Sequence, residues 1–152
     1  MKLAEALVER KDAQIKISEL NNRLQRIILV QEGEQPVEQP SALLEELNEV
    51  VRRLETLIVA INRTNVQAQL QDGRSIMAAI ARRDTLRMQI NVLDAVIRSG
   101  GSPQFRTRGS EIKIIVMLDI AQVQRDRDRL SRAYRELDTA IQAMNWNTDL
   151  VE

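Results

Sequence analysis

The sequence predicts an all-α protein built from two long antiparallel helical hairpins, which form an elongated up-down four-helix bundle or coiled coil. All glycines and prolines fall in three short windows, at 33–40, 73 and 100–109, and these residues are the strongest breakers of helices. Between the windows the chain is rich in good helix formers. Aromatic residues make up only 2% of the chain, so the core must consist of aliphatic side chains, as in helical bundles.

The first helix is predicted over about 2–30. Apolar or small residues recur there at alternating spacings of three and four, which is the heptad pattern of a coiled coil; they are Leu3, Ala6, Ala13, Ile17, Leu20, Leu24 and Ile27. We call such a stripe the seam of its helix. Arg10 is the one charged residue on this seam. Val8, Ile15 and Leu29 lie off the seam, either as scattered surface residues or as a second stripe that meets another chain.

The second and third helices are predicted from the same pattern. Ser41 is the expected N-cap of the second, which ends near Gln71 because Asp72-Gly73 follows. The third runs over about 74–98 and is stopped by Ser99–Pro103. Their seams are Leu47, Val50, Leu54, Leu57, Ile61, Thr64 and Ala68, then Ile76, Ala79, Leu86, Ile90, Leu93 and Ile97, with Arg83 interrupting the second set.

The fourth helix is predicted to begin at Asp119, because Gln122 three residues later completes a sequence like a capping box. Its seam, interrupted by Arg127, is Ile120, Val123, Leu130, Tyr134, Leu137, Ile141 and Met144. The residues before it differ, since they are rich in β-branched side chains and follow Gly109. They predict a short strand near 111–117.

The order of helices and loops predicts one helical domain over 1–152, with a first hairpin at 2–71 and a second at 74–147. The short polar loop 31–40 favours antiparallel neighbours in the first hairpin, and the second pair, joined by about 20 residues, is expected to pack in the same way. Long hairpins with narrow apolar seams often bury the rest of their apolar surface by associating with further chains. We therefore expect a homo-oligomer.

Seven polar residues are predicted to share one layer of the bundle. In an up-down topology, Arg10, Asn62, Arg83 and Asp138 lie at about 12 Å from the end at which the first helix starts, and Glu9, Asn65 and Asp84 flank them. Arginines buried there need carboxylate or amide partners, because an unpaired buried charge is costly. The layer is either a structural network that sets helix register or a pocket for a small anion or polar ligand. The arginines argue against a metal site.

A basic loop is the second candidate site, formed by Arg98, Phe105, Arg106, Arg108 and Lys113. With Glu111 as the only acidic residue, the segment 98–113 carries four positive charges against one negative charge. Such a loop either binds phosphate or nucleic acid, or orders against a neighbouring subunit.

The composition excludes several classes of protein. The chain has no histidine and no cysteine, which removes histidine-based acid–base catalysis, the usual zinc sites and thiol chemistry. Lys+Arg and Asp+Glu both number 22, so nucleic acid is not an expected partner. We predict no catalytic residue and no cofactor. No apolar run is long enough to cross a membrane, and Glu5 and Glu9 interrupt any signal peptide, so we expect a cytoplasmic protein.

Several short motifs together resemble a family of small bacterial proteins often labelled septicolysin; they are Gln31-Glu-Gly-Glu-Gln-Pro36, Ile61-Asn-Arg-Thr-Asn65, Asp72-Gly-Arg74, Ala81-Arg-Arg-Asp84, Ser110-Glu-Ile-Lys113, Leu137-Asp138, Gln142 and Asn145-Trp146. The resemblance covers nearly the whole chain. It implies a helical protein that forms homo-oligomers, and the label of the family implies a pore-forming cytolysin.

Three functions remain open from the sequence. The first is a non-enzymatic, self-assembling helical protein with a structural or scaffolding role. The second is a septicolysin-like pore-forming or membrane-lytic protein, which depends on the family label. The third is an anion-binding or nucleic-acid-binding module that uses the basic loop 98–113. The sequence does not identify a small-molecule ligand.

Overall fold

The computed structural model describes residues 1–101 and 114–151, which contain four long helices. Helix α1 spans Leu3–Ile27 (25 residues), α2 Pro40–Gln67 (28), α3 Ile76–Gly101 (26) and α4 Ile120–Asn147 (28). Over these two ranges the extended pairing is limited to isolated β-bridge residues, among them the pair Lys2 and Asp149. The prediction of an all-α protein with four helices is confirmed.

The chain forms two compact units. The first comprises residues 1–69 together with 142–152, and the second comprises 70–141. The predicted first hairpin, 2–71, lies almost wholly in the first unit. That the terminal residues from 142 onward also belong to this unit was not predicted from the sequence.

In the first unit, α1 and α2 pack as an antiparallel pair. Two ion pairs join the helices, Glu9–Arg53 and Lys16–Glu46, and a third joins Arg23 of α1 to Glu38, two residues before α2 begins. A step of seven residues forward along α1, from Glu9 to Lys16, corresponds to a step of seven residues back along α2, from Arg53 to Glu46. The two helices therefore run in opposite directions with one register along their length.

In the second unit, α3 and α4 are antiparallel by the same criterion. Three contacts join them: Arg83–Asp138, Arg87–Tyr134 and Asp94–Arg127. From each contact to the next, the residue number rises by four and then by seven on α3, and it falls by four and then by seven on α4. Both predicted hairpins therefore form as antiparallel helix pairs.

The seams predicted from the sequence form the cores of the two units. In the first unit the most deeply buried side chains include Leu3 and Leu20 of α1 and Leu57 and Ile61 of α2, each no more than 1% exposed. In the second they include Ile76 and Leu86 of α3 and Ile141 of α4, which belongs to that unit. The three-four spacing thus identified the buried face of each helix correctly.

The short strand predicted near 111–117 is wrong for the residues that the structure describes. Ile114–Met117 form no strand, and all four side chains are exposed; residues 111–113 lie outside the described ranges. A strand requires backbone partners on a neighbouring strand, and β-branched composition alone supplies none.

Two predicted helix ends also differ from the structure. Helix α2 begins at Pro40 with Gln39 as its N-cap, not at Ser41, because proline is well suited to the first position of a helix. Helix α3 continues through the two glycines to Gly101. A Cβ atom on Gly100 would lie 2.3 Å from Cδ1 of Ile120, so the missing side chain permits this close approach of α3 to the start of α4.

Candidate functional site

The two flanks of the first hairpin differ in chemistry. With the seam residues placed at heptad positions a and d, the pairs Glu9–Arg53 and Lys16–Glu46 join g positions of the two helices. Arg23, also at a g position, pairs on the same side with Glu38 of the preceding loop. We call this side the charged flank. Both members of each pair belong to the same chain. Glu9 Oε2 accepts from Arg53 at 2.5 Å, and Lys16 lies 2.8 Å from Glu46.

The opposite side, which carries the e positions, is poor in charge and partly apolar. We call it the apolar flank and define it by Leu7, Gln14 and Asn21 of α1 and Leu44, Val51, Ile58 and Asn65 of α2. Leu44 is 50% exposed, Val51 44% and Ile58 39%. These three side chains stand seven residues apart, so they form one continuous stripe along α2. A regular apolar stripe of this kind is typical of a surface that meets another helix.

The corresponding side of the second hairpin is polar, and its side chains contact one another between α3 and α4. Three of its e positions carry Arg87, Asp94 and Asp138. Arg87 stacks over the ring of Tyr134 at 4.2 Å, Asp94 lies 3.5 Å from Nε of Arg127, and Asp138 accepts from Arg83. The Asp94–Arg127 contact is too long for a good hydrogen bond, and Arg127 Nε is without a hydrogen-bond partner in the described ranges.

Of the predicted polar layer, the structure joins Arg83, Asp84 and Asp138. Nε of Arg83 donates to Asp84 Oδ1 at 2.9 Å, and Nη1 donates to Asp138 Oδ1 at 3.1 Å. Burial lowers the pKa of the Arg83 guanidinium, but its hydrogen bonds to the two carboxylates outweigh that effect and leave the pKa above its ordinary value. This cluster lies wholly within the second unit.

The four layer residues of the first unit do not form such a cluster. Glu9 pairs with Arg53 on the charged flank, Asn62 is exposed and Asn65 is half-buried. Arg10 is half-buried on the seam of α1, and its buried Nε has no hydrogen-bond partner within 1–101 and 114–151. The acceptor that the sequence led us to expect for Arg10 is therefore not found in these ranges.

The hydrogen bond between Arg83 and Asp138 should contribute measurably to the stability of the second unit. Removing the Asp138 carboxylate (Asp138→Ala) should lower the free energy of unfolding by about 1 kcal/mol, because a half-buried pair is partly screened by solvent and Arg83 keeps its bond to Asp84. In a double-mutant cycle with Arg83→Ala, chemical denaturation should show that the two losses are not additive. Additive losses would show that the pair contributes nothing as a pair.

Only one residue of the predicted basic loop can be placed. Arg98 is exposed near the end of α3. Phe105, Arg106, Arg108 and Lys113 lie outside the described residues, so anion or nucleic-acid binding by the loop stays a prediction.

A feature that the sequence did not reveal ties the two chain ends together in the first unit. The N–H of Leu3 donates to the carbonyl of Thr148, and the N–H of Leu150 donates to the carbonyl of Met1, both at 2.9 Å. Nζ of Lys2 lies 2.7 Å from Asp149, and this hydrogen-bonded contact holds the pKa of the Asp149 carboxyl below its ordinary value. We call residues 148–151 with their partners the terminal clasp.

The terminal clasp also contacts α2 through Thr64. This side chain is 0% exposed, and its hydroxyl donates to the carbonyl of Ala60 at 2.8 Å while accepting from the N–H of Val151 at 2.9 Å. In the sequence, Thr64 is noticeable only as a hydroxyl on an otherwise apolar seam. That signal did not indicate Val151, 87 residues away, as its partner.

The described residues offer no group of three or more carboxylates that could hold a metal ion. None of the helices described is both long enough and apolar enough to cross a membrane.

The fold and the two flanks place this chain in a structural class, the all-α proteins built from antiparallel helical hairpins. By sequence it belongs to DUF6847, a family of unknown function, whose model matches residues 10–150. Its fold is similar to the crystal structure of a functionally unknown conserved protein from Corynebacterium diphtheriae, with 38% sequence identity, 99% of each chain covered and a TM-score of 0.91. No curated protein matches the chain. The resemblance to septicolysin stays a prediction.

Proposed function

We propose that this protein is a non-enzymatic, cytoplasmic helical protein that assembles with further copies of itself through the apolar flank of its first hairpin. The observation that carries the proposal is the stripe of Leu44, Val51 and Ile58, which are 39–50% exposed at intervals of one heptad. Side chains of this type and spacing are normally covered by a neighbouring helix.

The size of the flank supports association with a second hairpin. Helices of 25 and 28 residues are about 40 Å long, and two of them side by side are about 20 Å wide. The side of the hairpin therefore offers about 800 Å² to a partner, which is the area that each member of a standard stable complex buries.

Charge also favours a second copy as the occupant. The formal net charge of the chain is zero, with 22 basic and 22 acidic residues, so two copies approach each other without net repulsion. The e positions of the apolar flank are all uncharged, and two such surfaces can therefore face each other without opposing like charges.

The test is the solution mass of the purified chain, measured by light scattering over a dilution series. We expect a multiple of 17.4 kDa that dissociates on dilution. Val51→Lys should shift the dissociation to a concentration at least ten-fold higher, because it places an unpaired charge in an apolar contact.

Glu49→Gln is the matched control. It changes the charge of α2 by the same one unit, and Glu49 lies on the side of the helix away from the stripe, so the solution mass should stay unchanged. A chain that is monomeric at every concentration would contradict the proposal, and so would an oligomer that Val51→Lys leaves intact.

A further inference from the structure

Helices α1 and α3 carry an arginine at the same position of the heptad pattern. The seam of α1 begins Leu3, Ala6, Arg10, and the seam of α3 begins Ile76, Ala79, Arg83. The leucine and isoleucine are both 0% exposed, as are the two alanines. The two arginines therefore occupy the same heptad position, each one heptad after the first buried seam residue.

The two arginines differ in what they find beside them. Arg83 reaches two carboxylates, at the next residue of its own helix and at an e position of the opposite helix. After Arg10 the next residue is Lys11, and the e positions of α2 near its level are Val51 and Ile58. The first hairpin therefore presents a guanidinium without the carboxylates that serve its counterpart. Arg10 Nε is buried without a partner in the described ranges, as is Nε of Arg127, so a second copy would reach the half-buried Arg10 side chain through its terminal Nη atoms.

Beside the apolar flank lies one carboxylate that takes part in none of the ion pairs of the described ranges. Glu55 lies at a b position of α2, four residues after Val51 and three before Ile58, and its side chain is exposed. In a helix, neighbours at these spacings share a face. The b position points to the same side of the hairpin as the e positions.

From these two residues we propose that the protein forms a two-fold dimer in which Glu55 of each copy accepts hydrogen bonds from Arg10 of the other. This inference rests on the proposed function and names its geometry. The two hairpins face each other across the apolar flank. Helix α1 of each copy lies along α2 of the other, as in an antiparallel four-helix bundle.

The register measured within one copy makes this pairing reachable. Glu9 stands level with Arg53, so Arg10 stands level with residue 52 of α2. A two-fold axis parallel to the helices keeps each residue at its own height. Glu55 of the partner therefore lies three residues from the height of Arg10, or about 5 Å along the axis, which long arginine and glutamate side chains can span.

The symmetry forms the contact twice. In an isologous interface, a contact from one copy to the other is repeated in the reverse direction. Each dimer therefore gives both copies of Arg10 an acceptor and both copies of Glu55 a donor. Val51 and Ile58, within one turn of Glu55 on either side, would be covered in the same contact and lower the exposure of the pairs to water, which strengthens them.

The experiment compares dissociation constants of the full chain, measured by sedimentation or light scattering. Glu55→Gln should raise the dissociation constant about ten-fold, and Arg10→Gln should do the same, because each removes both symmetric pairs. The double variant should stay near ten-fold, since a pair that is already broken cannot be lost again. Glu49→Gln, the matched exposed glutamate, should have no effect.

The outcomes separate this inference from the proposed function. Thermal unfolding followed by circular dichroism shows whether Arg10→Gln still folds, and Glu55→Gln changes an exposed residue and tests the pairing independently. A dimer that is weakened by Val51→Lys but not by Glu55→Gln would overturn the pairing and leave self-assembly standing. Losses that multiply to about a hundred-fold in the double variant would also overturn it. A strictly monomeric wild-type chain would overturn both.

Discussion

Replacing Leu57 with alanine is expected to lower the free energy of unfolding by about 3 kcal/mol. Leu57 lies on the seam of α2 and is 1% exposed. The substitution removes buried apolar surface and leaves a cavity between packed helices, and both effects are unfavourable. The loss would be a large fraction of the stability of a domain of this size.

The neighbouring residue supplies the control for this prediction. Ile58 is one position along the same helix and is 39% exposed. Ile58→Ala should cost less than half as much when both variants are denatured with urea at the same low protein concentration. Equal losses at the two positions would show that the seam does not form the core in the way the structure indicates.

Deleting residues 148–152 is expected to lower the stability by about 3 kcal/mol. The deletion removes three hydrogen bonds of the terminal clasp, in which Leu3 and Leu150 use backbone partners and Val151 uses the hydroxyl of Thr64. Each such bond contributes about 1 kcal/mol. The deletion also leaves the N–H of Leu3, at the start of α1, without its acceptor. The change should appear as a lower midpoint of urea denaturation.

Asp149→Asn is the matched control for the deletion. It keeps the backbone of the terminal clasp and removes only the charge that faces Lys2. Both side chains are exposed, at 79% and 40%, and exposed ion pairs contribute little. The midpoint should therefore stay near that of the wild type. If the deletion variant also unfolded at the wild-type midpoint, the terminal clasp would have no stabilising role.

The two hairpins illustrate why similar sequence patterns lead to different surfaces. Both have a heptad seam with an arginine one repeat after the first buried residue. In the second hairpin the e position of the opposite helix is Asp138, which binds Arg83. In the first, the nearby e positions are Val51 and Ile58. Because of that difference of a few side chains, the polar groups of one flank pair within the chain, whereas Val51 and Ile58 of the other are exposed.

The predicted polar layer shows the limit of counting residues along helices. Counting gave a common height for four residues and placed three more beside them, and the structure joins Arg83, Asp84 and Asp138 by hydrogen bonds. It also pairs Glu9 with Arg53, a residue that the count did not include. Height along an axis is one coordinate, whereas a hydrogen bond also depends on which side of the helix each group faces.

The sequence by itself determined that four long helices form and which face each of them buries. These properties depend on local chemistry, since the 3.6-residue period, the glycines and the prolines all act within a few residues. The tertiary structure alone decided the pairing of side chains between helices, the terminal clasp around Thr64, and the absence of a described partner for Arg10. Those features depend on the axial register of segments far apart in the chain, because a shift of one or two residues between two helices changes every cross-helix neighbour while leaving each seam intact.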